Sequence, residues 1–340
     1  MASPTHSYAL ACLALSLAAC TSGSTPAPTE SPARAGSWAI GPAMPEARLE
    51  GFAVPFQGRI WYLGGITGAE GDQSSARSSD RVDVYDPPTG LWSLGPPIPP
   101  GAARHHLAVA VHGARIYLLG GFTGILGGAR EAGKFVPNGQ TWALDGKAWV
   151  RLADQPLVRG SAIAATVGER IFVAGGGFDD RGALVDLLAY HPATDTWAPF
   201  APMPTPREHA AACVQGGKLV VVGGWAGEFK AVVAAAERFD PATNQWQKLA
   251  NMPTERGGLA AVALGTDCHV LGGERWDVHL PGTFASHEVL GANGLWSARA
   301  PLPEARHGLG LVVLGGQIFA IAGAPVMGNS YTARLDVFTP

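Results

Sequence analysis

An arginine recurs along this 340-residue chain at Arg48, Arg104, Arg159, Arg207, Arg256 and Arg306, and ionisable residues follow several of its copies. Glu50 stands two positions after the first, His105 and His106 follow the second, Glu208 and His209 the fourth, and His307 the sixth. Guanidinium groups recognise carboxylates through paired N–H donors, and a carboxyl or imidazole can move a proton. The set therefore offers two chemistries: binding of an acidic or carbohydrate ligand, and acid–base work by Glu50, Glu208 or a histidine. An arginine present in every copy more often serves the repeat itself, by holding a neighbouring loop's carbonyls or carboxylates. The residues that break the repeat, Glu50, His105, His106, Glu208, His209 and His307, are the better functional candidates, because loops on a rigid scaffold carry function. Trp225 and Trp276 are either ligand platforms or covers for the structure beneath. His105, His106, His209 and His307 would suit zinc, copper or iron if they converged. Nothing in the sequence sets their distances, so no metal, cofactor or catalytic residue is assigned.

The elements that must position these residues are written in a second period. Trp38, Trp92, Trp149, Trp197, Trp246 and Trp296 are separated by 54, 57, 48, 49 and 50 residues. Glycine doublets recur at Gly64-Gly65, Gly120-Gly121, Gly175-Gly176, Gly223-Gly224 and Gly272-Gly273, with Ala322-Gly323 in the sixth copy. In every copy the doublet begins sixteen residues after the arginine, so the segment between them is a rigid unit. It holds an apolar stretch, a Gly-containing turn and a β-rich run, as in Leu107 to Leu119, which predicts an antiparallel hairpin. A hairpin returns to its origin, placing arginine and doublet at one end of the sheet. Segments such as Val82-Asp83-Val84-Tyr85-Asp86-Pro87 supply a third strand, and the tryptophan strand a fourth. Six repeats of four strands predict an all-β, six-bladed β-propeller. The last repeat ends at Leu335-Asp336-Val337-Phe338 without a tryptophan strand, so the N-terminal strand around Trp38 is expected to close the ring. The 46 glycines and 27 prolines, which exclude a mostly helical fold, fall into this framework.

The glycine doublet after an apolar strand, the Tyr-Asp-Pro type of turn and the spaced tryptophan resemble Kelch repeats, over about Trp38 to Phe338. Copies two, five and six depart from the pattern: Ala143-Leu144-Asp145-Gly146 and Leu290-Gly291-Ala292-Asn293 replace the Asp-Pro turn, and Ala322 replaces a glycine. The domain is expected to span residues 38–340.

Residues Tyr8 to Ala19 form an apolar run too short to span a bilayer, ending at Leu17-Ala18-Ala19-Cys20. The run reads as a signal peptide over residues 1–19, and LAAC resembles the lipobox of bacterial lipoproteins, whose cysteine is lipidated. The first seven residues carry no Lys or Arg, a departure from the usual signal. Residues 20–37 then hold the lipidated Cys20 and a flexible Ser/Thr/Pro/Ala-rich linker. Localisation in the bacterial cell envelope follows, on the outer membrane or facing the periplasm. Cys213 and Cys268 remain. Their expected positions, on the innermost strand of blade four and the second strand of blade five, argue against a bond, since packed sheets lie about 10 Å apart.

A net charge of −3 and 15% charged residues offer no basic surface for nucleic acid. Zinc-protease, nucleophile-elbow, Walker and EF-hand motifs are absent. The resemblance implies a lipid-anchored module that binds a protein or ligand on the arginine face, at Arg48, Glu50, Arg104, His105, His106, Arg159, Arg207, Glu208, His209, Trp225, Arg256, Arg306 and His307. Enzymatic activity is left open, with a binding role preferred. The alternative is an enzyme resembling the Kelch sialate mutarotases (N-acetylneuraminate epimerases), in which the arginines would clamp a carboxylated sugar. The galactose oxidase branch needs a Cys-Tyr copper site that cysteines on strands do not offer, and the nitrile-specifier pattern Glu-x-x-x-Asp-x-x-x-His is missing.

Overall fold

The computed structural model describes residues 36–69, 75–124, 135–178, 182–227, 231–276, 282–328 and 330–340. The expected signal peptide, Cys20 and the linker up to residue 35 lie outside the described residues.

The arginine-to-doublet segment folds as a hairpin in each repeat. In the second repeat Ala108–His112 pairs with Arg115–Leu119, and Gly113, at a φ of 55°, opens the two-residue turn between them. Six four-stranded antiparallel sheets result. Blade one runs from Phe52–Phe56 at the axis through Arg59–Leu63 and Val82–Asp86 to Leu91–Leu94 at the rim. Blade six takes Gly310–Leu314, Gln317–Ile321 and Leu335–Thr339 from the end of the chain, and Ser37–Ile40 from its beginning. Trp38 lies opposite Phe338 in that seam, so the expected ring closure is present. Where the Asp-Pro turn is lost, a side chain still holds the turn: Asp145 Oδ1 accepts from the amides of Lys147 and Ala148, and Asn293 Oδ1 from that of Leu295.

Neighbouring blades pack face to face around apolar clusters, such as Trp61, Leu63, Val84, Leu107, Val109 and Leu118 between blades one and two. The tryptophan period is the polar stitch across these contacts. Each indole Nε1 donates to a carbonyl just past the outer strand of the preceding blade. Trp92 reaches Pro42 at 3.0 Å, Trp149 Pro96 at 3.2 Å, Trp197 Ala153 at 2.9 Å, and Trp246 Ala201 and Trp296 Ala250 at 2.8 Å. Trp38 completes the circle on Ala300 at 2.8 Å.

The doublet makes the second stitch. Its second glycine donates its amide to the carbonyl of the next blade's arginine in all six copies, at 2.8–3.0 Å, ending with Gly323 on Arg48. The first glycine lies just as close in blade three, where a Cβ on Gly175 would stand 2.3 Å from the Arg207 carbonyl oxygen. In blade six Ala322 occupies the first doublet position at a φ of 59°, a conformation glycine adopts more easily.

Cys213 and Cys268 are disulfide-bonded, with Cα atoms 6.0 Å apart, contrary to the expectation from sheet spacing. Their strands are those expected, Ala211–Gln215 and Asp267–Leu271. The 10 Å spacing holds for sheets stacked in parallel, whereas propeller blades are wedges that converge on the axis. Both cysteines lie in the buried cluster between blades four and five.

Candidate functional site

All six arginines are fully buried. In blades one to five the guanidinium donates to the first doublet carbonyl sixteen residues on, from 2.6 Å (Arg256 to Gly272) to 3.4 Å (Arg207 to Gly223). In blade six Arg306 donates instead to Ala320 at 3.0 Å. A carboxylate on the third strand neutralises four of them: Asp83 for Arg48, Glu237 for Arg207, Glu288 for Arg256 and Asp336 for Arg306. Blade two carries Trp142 at that register and uses Gln140 Oε1, 2.9 Å from Arg104; blade three carries Leu188, and Arg159 is held by carbonyls alone. These arginines fasten the hairpin to its own blade, and none lines the cavity on their face.

Two residues beyond each arginine the chain reaches the axis. There Glu50, His106, Ser161, His209, Gly258 and Gly308 form a closed ring, each amide donating to the carbonyl of its counterpart in the preceding blade at 2.9–3.2 Å. All six have a φ between 48° and 61°. Glycine adopts this left-handed geometry freely, while other residues are held there against about 1–2 kcal/mol. Blades five and six use glycine; blades one, two and four place Glu50, His106 and His209 in the same backbone. Those three side chains each bring one ligand-type atom within 4.8 Å of the others.

The ring separates two spaces. Beneath it a narrow channel of about 140 Å³ runs between inner strands rich in alanine, including Ala53, Ala164, Ala212 and Ala261. Above it opens a funnel of about 390 Å³ with walls of Leu49, Ile66, Phe135, Trp225 and Trp276, and polar groups from Glu50, His106, His209, Glu274 and His307. The residue after each arginine bridges the residue after the doublet, as His105 does Phe122, Glu208 does Trp225 and His307 does Ala324. These bridges draw the candidates inward: Glu50, His105, His106, Glu208 and His307 are buried instead of lying on exposed loops. Trp225 is 2% exposed and covers His209 with ring centroids 4.4 Å apart, whereas Trp276 is 49% exposed at the rim.

Burial sets the charge of the funnel floor. Desolvation, with a smaller contribution from Glu274, pushes the Glu50 carboxyl up to about 8, and desolvation lifts Glu274 to about 7. The same cause drives His105 and His209 down to about 3, His307 to about 4, and His106 well below its ordinary value. Near neutral pH the floor presents uncharged imidazoles and a largely protonated Glu50. His106 Nε2 lies 3.8 Å from Glu50 Oε2, and His307 Nδ1 lies 3.5 Å from Glu274 Oε2.

Glu274 and Phe135 escaped the sequence reading, though Glu274 follows the doublet of blade five as Ile66 follows that of blade one and Trp225 that of blade four. That position was the available signal.

The chain matches the KLHDC2/KLHL20/DRC7 Kelch-repeats domain over residues 59–273 and, in an overlapping alignment, 153–323. It belongs to the Kelch-repeat family. The Kelch-like protein terF of Aspergillus terreus is 30% identical over 55% of this chain and 40% of its own length. Human Kelch-like protein 38 is 29% identical over 55% of this chain and 29% of its own. The chain thus spans well under two thirds of these relatives. A solved structure described as "Structure of YjhT" superposes with a TM-score of 0.71 over 86% of this chain and 95% of that one, at 17% identity, a likeness of fold. A Kelch propeller is a scaffold for binding proteins or ligands; which one, the site must say.

Proposed function

We propose that this Kelch propeller is an envelope-tethered binding protein that holds an uncharged, amphipathic ligand, a sugar ring or a peptide segment, in its axial funnel. One observation carries the reading: aromatic and aliphatic walls stand over a polar floor whose imidazoles and Glu50 burial holds largely uncharged, Glu274 being about half ionised at neutral pH. Carboxylate recognition has lost its support, because all six guanidinium groups are buried and engaged. The tether rests on the LAAC string and the Ser/Thr/Pro-rich residues after it.

Trp276 at the rim makes the funnel readable by fluorescence. An uncharged aromatic glycoside, phenyl glucoside, is expected to perturb wild-type emission and to leave Ile66→Trp, whose added ring fills the funnel, without a saturable response. Preference for glucuronate over the uncharged glycoside, or saturable binding that survives Ile66→Trp, overturns the reading. Palmitate labelling lost in Cys20→Ala supports the tether; equal labelling removes it. For the mutarotase alternative, free sialic acid whose anomers exchange no faster than in buffer, followed by NMR, excludes that activity.

A further inference from the structure

We propose that Glu50, His106 and His209 form a binding site for one divalent first-row transition ion at the centre of the propeller. The inference goes beyond the ligand reading: Glu50, His106 and His209 also face the funnel floor, but the ion is held by these three side chains and the ligand by the apolar walls above them.

Placement is the first argument. Three blades contribute one residue each, and their ligand-type atoms lie within 4.8 Å of one another. Two imidazoles and one carboxylate suit zinc, iron, cobalt or copper better than magnesium or calcium, which prefer an all-oxygen shell. Ligand atoms around a tetrahedral zinc stand about 3.4 Å apart, so loading needs side-chain shifts of only about an ångström.

Backbone strain is the second. The ring geometry calls for glycine, and Gly258 and Gly308 satisfy it at φ values of 61° and 58°. Glu50, His106 and His209 keep the same geometry at 54°, 51° and 48°. Residues held in such conformations cluster where the side chain has a task.

The surroundings are the third. The Nδ1 atoms of His105 and His106 are in contact, which leaves His106 Nε2 facing Glu50 Oε2 at 3.8 Å. His209 has a polar neighbour at each nitrogen, Ser161 Oγ 3.4 Å from Nε2 and Glu208 Oε2 3.9 Å from Nδ1. With the metal on Nδ1, Nε2 keeps Ser161 as its orienting partner, as metal-bound histidines usually do. The funnel above leaves coordination positions open to a small molecule.

The test uses the oxidised full chain without a histidine tag, stripped with a chelator and titrated with Zn²⁺ against a chromophoric competitor and with Co²⁺ by visible absorption. One ion per chain is expected, with a Co²⁺ ligand-field band. His106→Gly and His209→Gly suit the backbone, so their metal-free melting temperatures should match or exceed wild type. Their Zn²⁺ affinity should fall at least about 100-fold, the upper range for losing even an outer-sphere partner. Ile66→Trp should still bind the ion, which separates this site from the funnel ligand. Absence of binding to the wild type, or equal affinity in both glycine variants, overturns the proposal.

Discussion

Arg207 Nη2 and Glu237 Oε2 form a 2.6 Å ion pair with essentially no solvent exposure, and Thr205 Oγ1 donates to the other carboxylate oxygen at 2.7 Å. Removing one partner strands a charge in the interior. Arg207→Met should lower stability by about 3–5 kcal/mol in urea unfolding. Arg207→Met with Glu237→Leu should recover most of that loss, since a paired apolar replacement leaves no buried charge. A harmless Arg207→Met would show that the pair does not hold blade four.

The Cys213–Cys268 bond closes a loop of 55 residues between blades four and five. A cross-link over such a span stabilises by about 2–4 kcal/mol. Reduction, or Cys213→Ala with Cys268→Ala, should therefore lower the melting temperature while native-like circular dichroism persists below it. Thiol titration of the unfolded, unreduced protein should find neither of these cysteines free.

Trp38 holds the seam of the ring through its 2.8 Å bond to Ala300 and its packing on Phe338, with ring centroids 5.1 Å apart. Trp38→Ala should destabilise by less than the about 3–5 kcal/mol of a fully buried aromatic, because Trp38 is half-buried. It should speed proteolysis of the C-terminal strand Leu335–Thr339 more than that of blade three, because only blade six is closed by a strand from the other terminus. Uniform cleavage would argue that the seam is no weaker than the other blades.

Beneath that seam His269 Nδ1 and His287 Nε2 share a proton at 2.8 Å, among Trp38 and Phe338. Burial first, then Arg299, pushes His269 down to about 4; burial first, then His269, pushes His287 to about 3, with Arg299 and Arg256 adding to it. Asp267 acts in the opposite direction on His269. Unfolded histidine titrates near 6.5, so below that pH the unfolded chain binds more protons than the folded one. The stability from this pair is complete above about pH 6.5 and falls as pH drops toward 4. In His269→Gln/His287→Phe the loss of stability from pH 7 to pH 5 should be smaller than in wild type. An identical slope would place the acid sensitivity elsewhere.

Much of this was legible along the chain because it is local. The sixteen-residue spacing sets a hairpin of one length, so Arg104 and Gly120 had to share an end, and the missing tryptophan strand after Phe338 called for Trp38. The burial of the arginines was harder to read, since the neutralising Asp83, Glu237, Glu288 and Asp336 sit some thirty residues away among other strand carboxylates.

The sequence by itself determined six blades, their strand order and which end carries the arginines, because each, apart from the Trp38 strand that closes blade six, follows from pairing within one repeat. Only the tertiary structure decided that Cys213 meets Cys268 and that Glu50, His106 and His209 meet at the axis. Those distances depend on how sharply the wedge-shaped blades converge and on the ring of backbone hydrogen bonds through Glu50 and Gly308 closing on itself. Convergence of that kind is a property of all six blades packed together, and no single repeat encodes it.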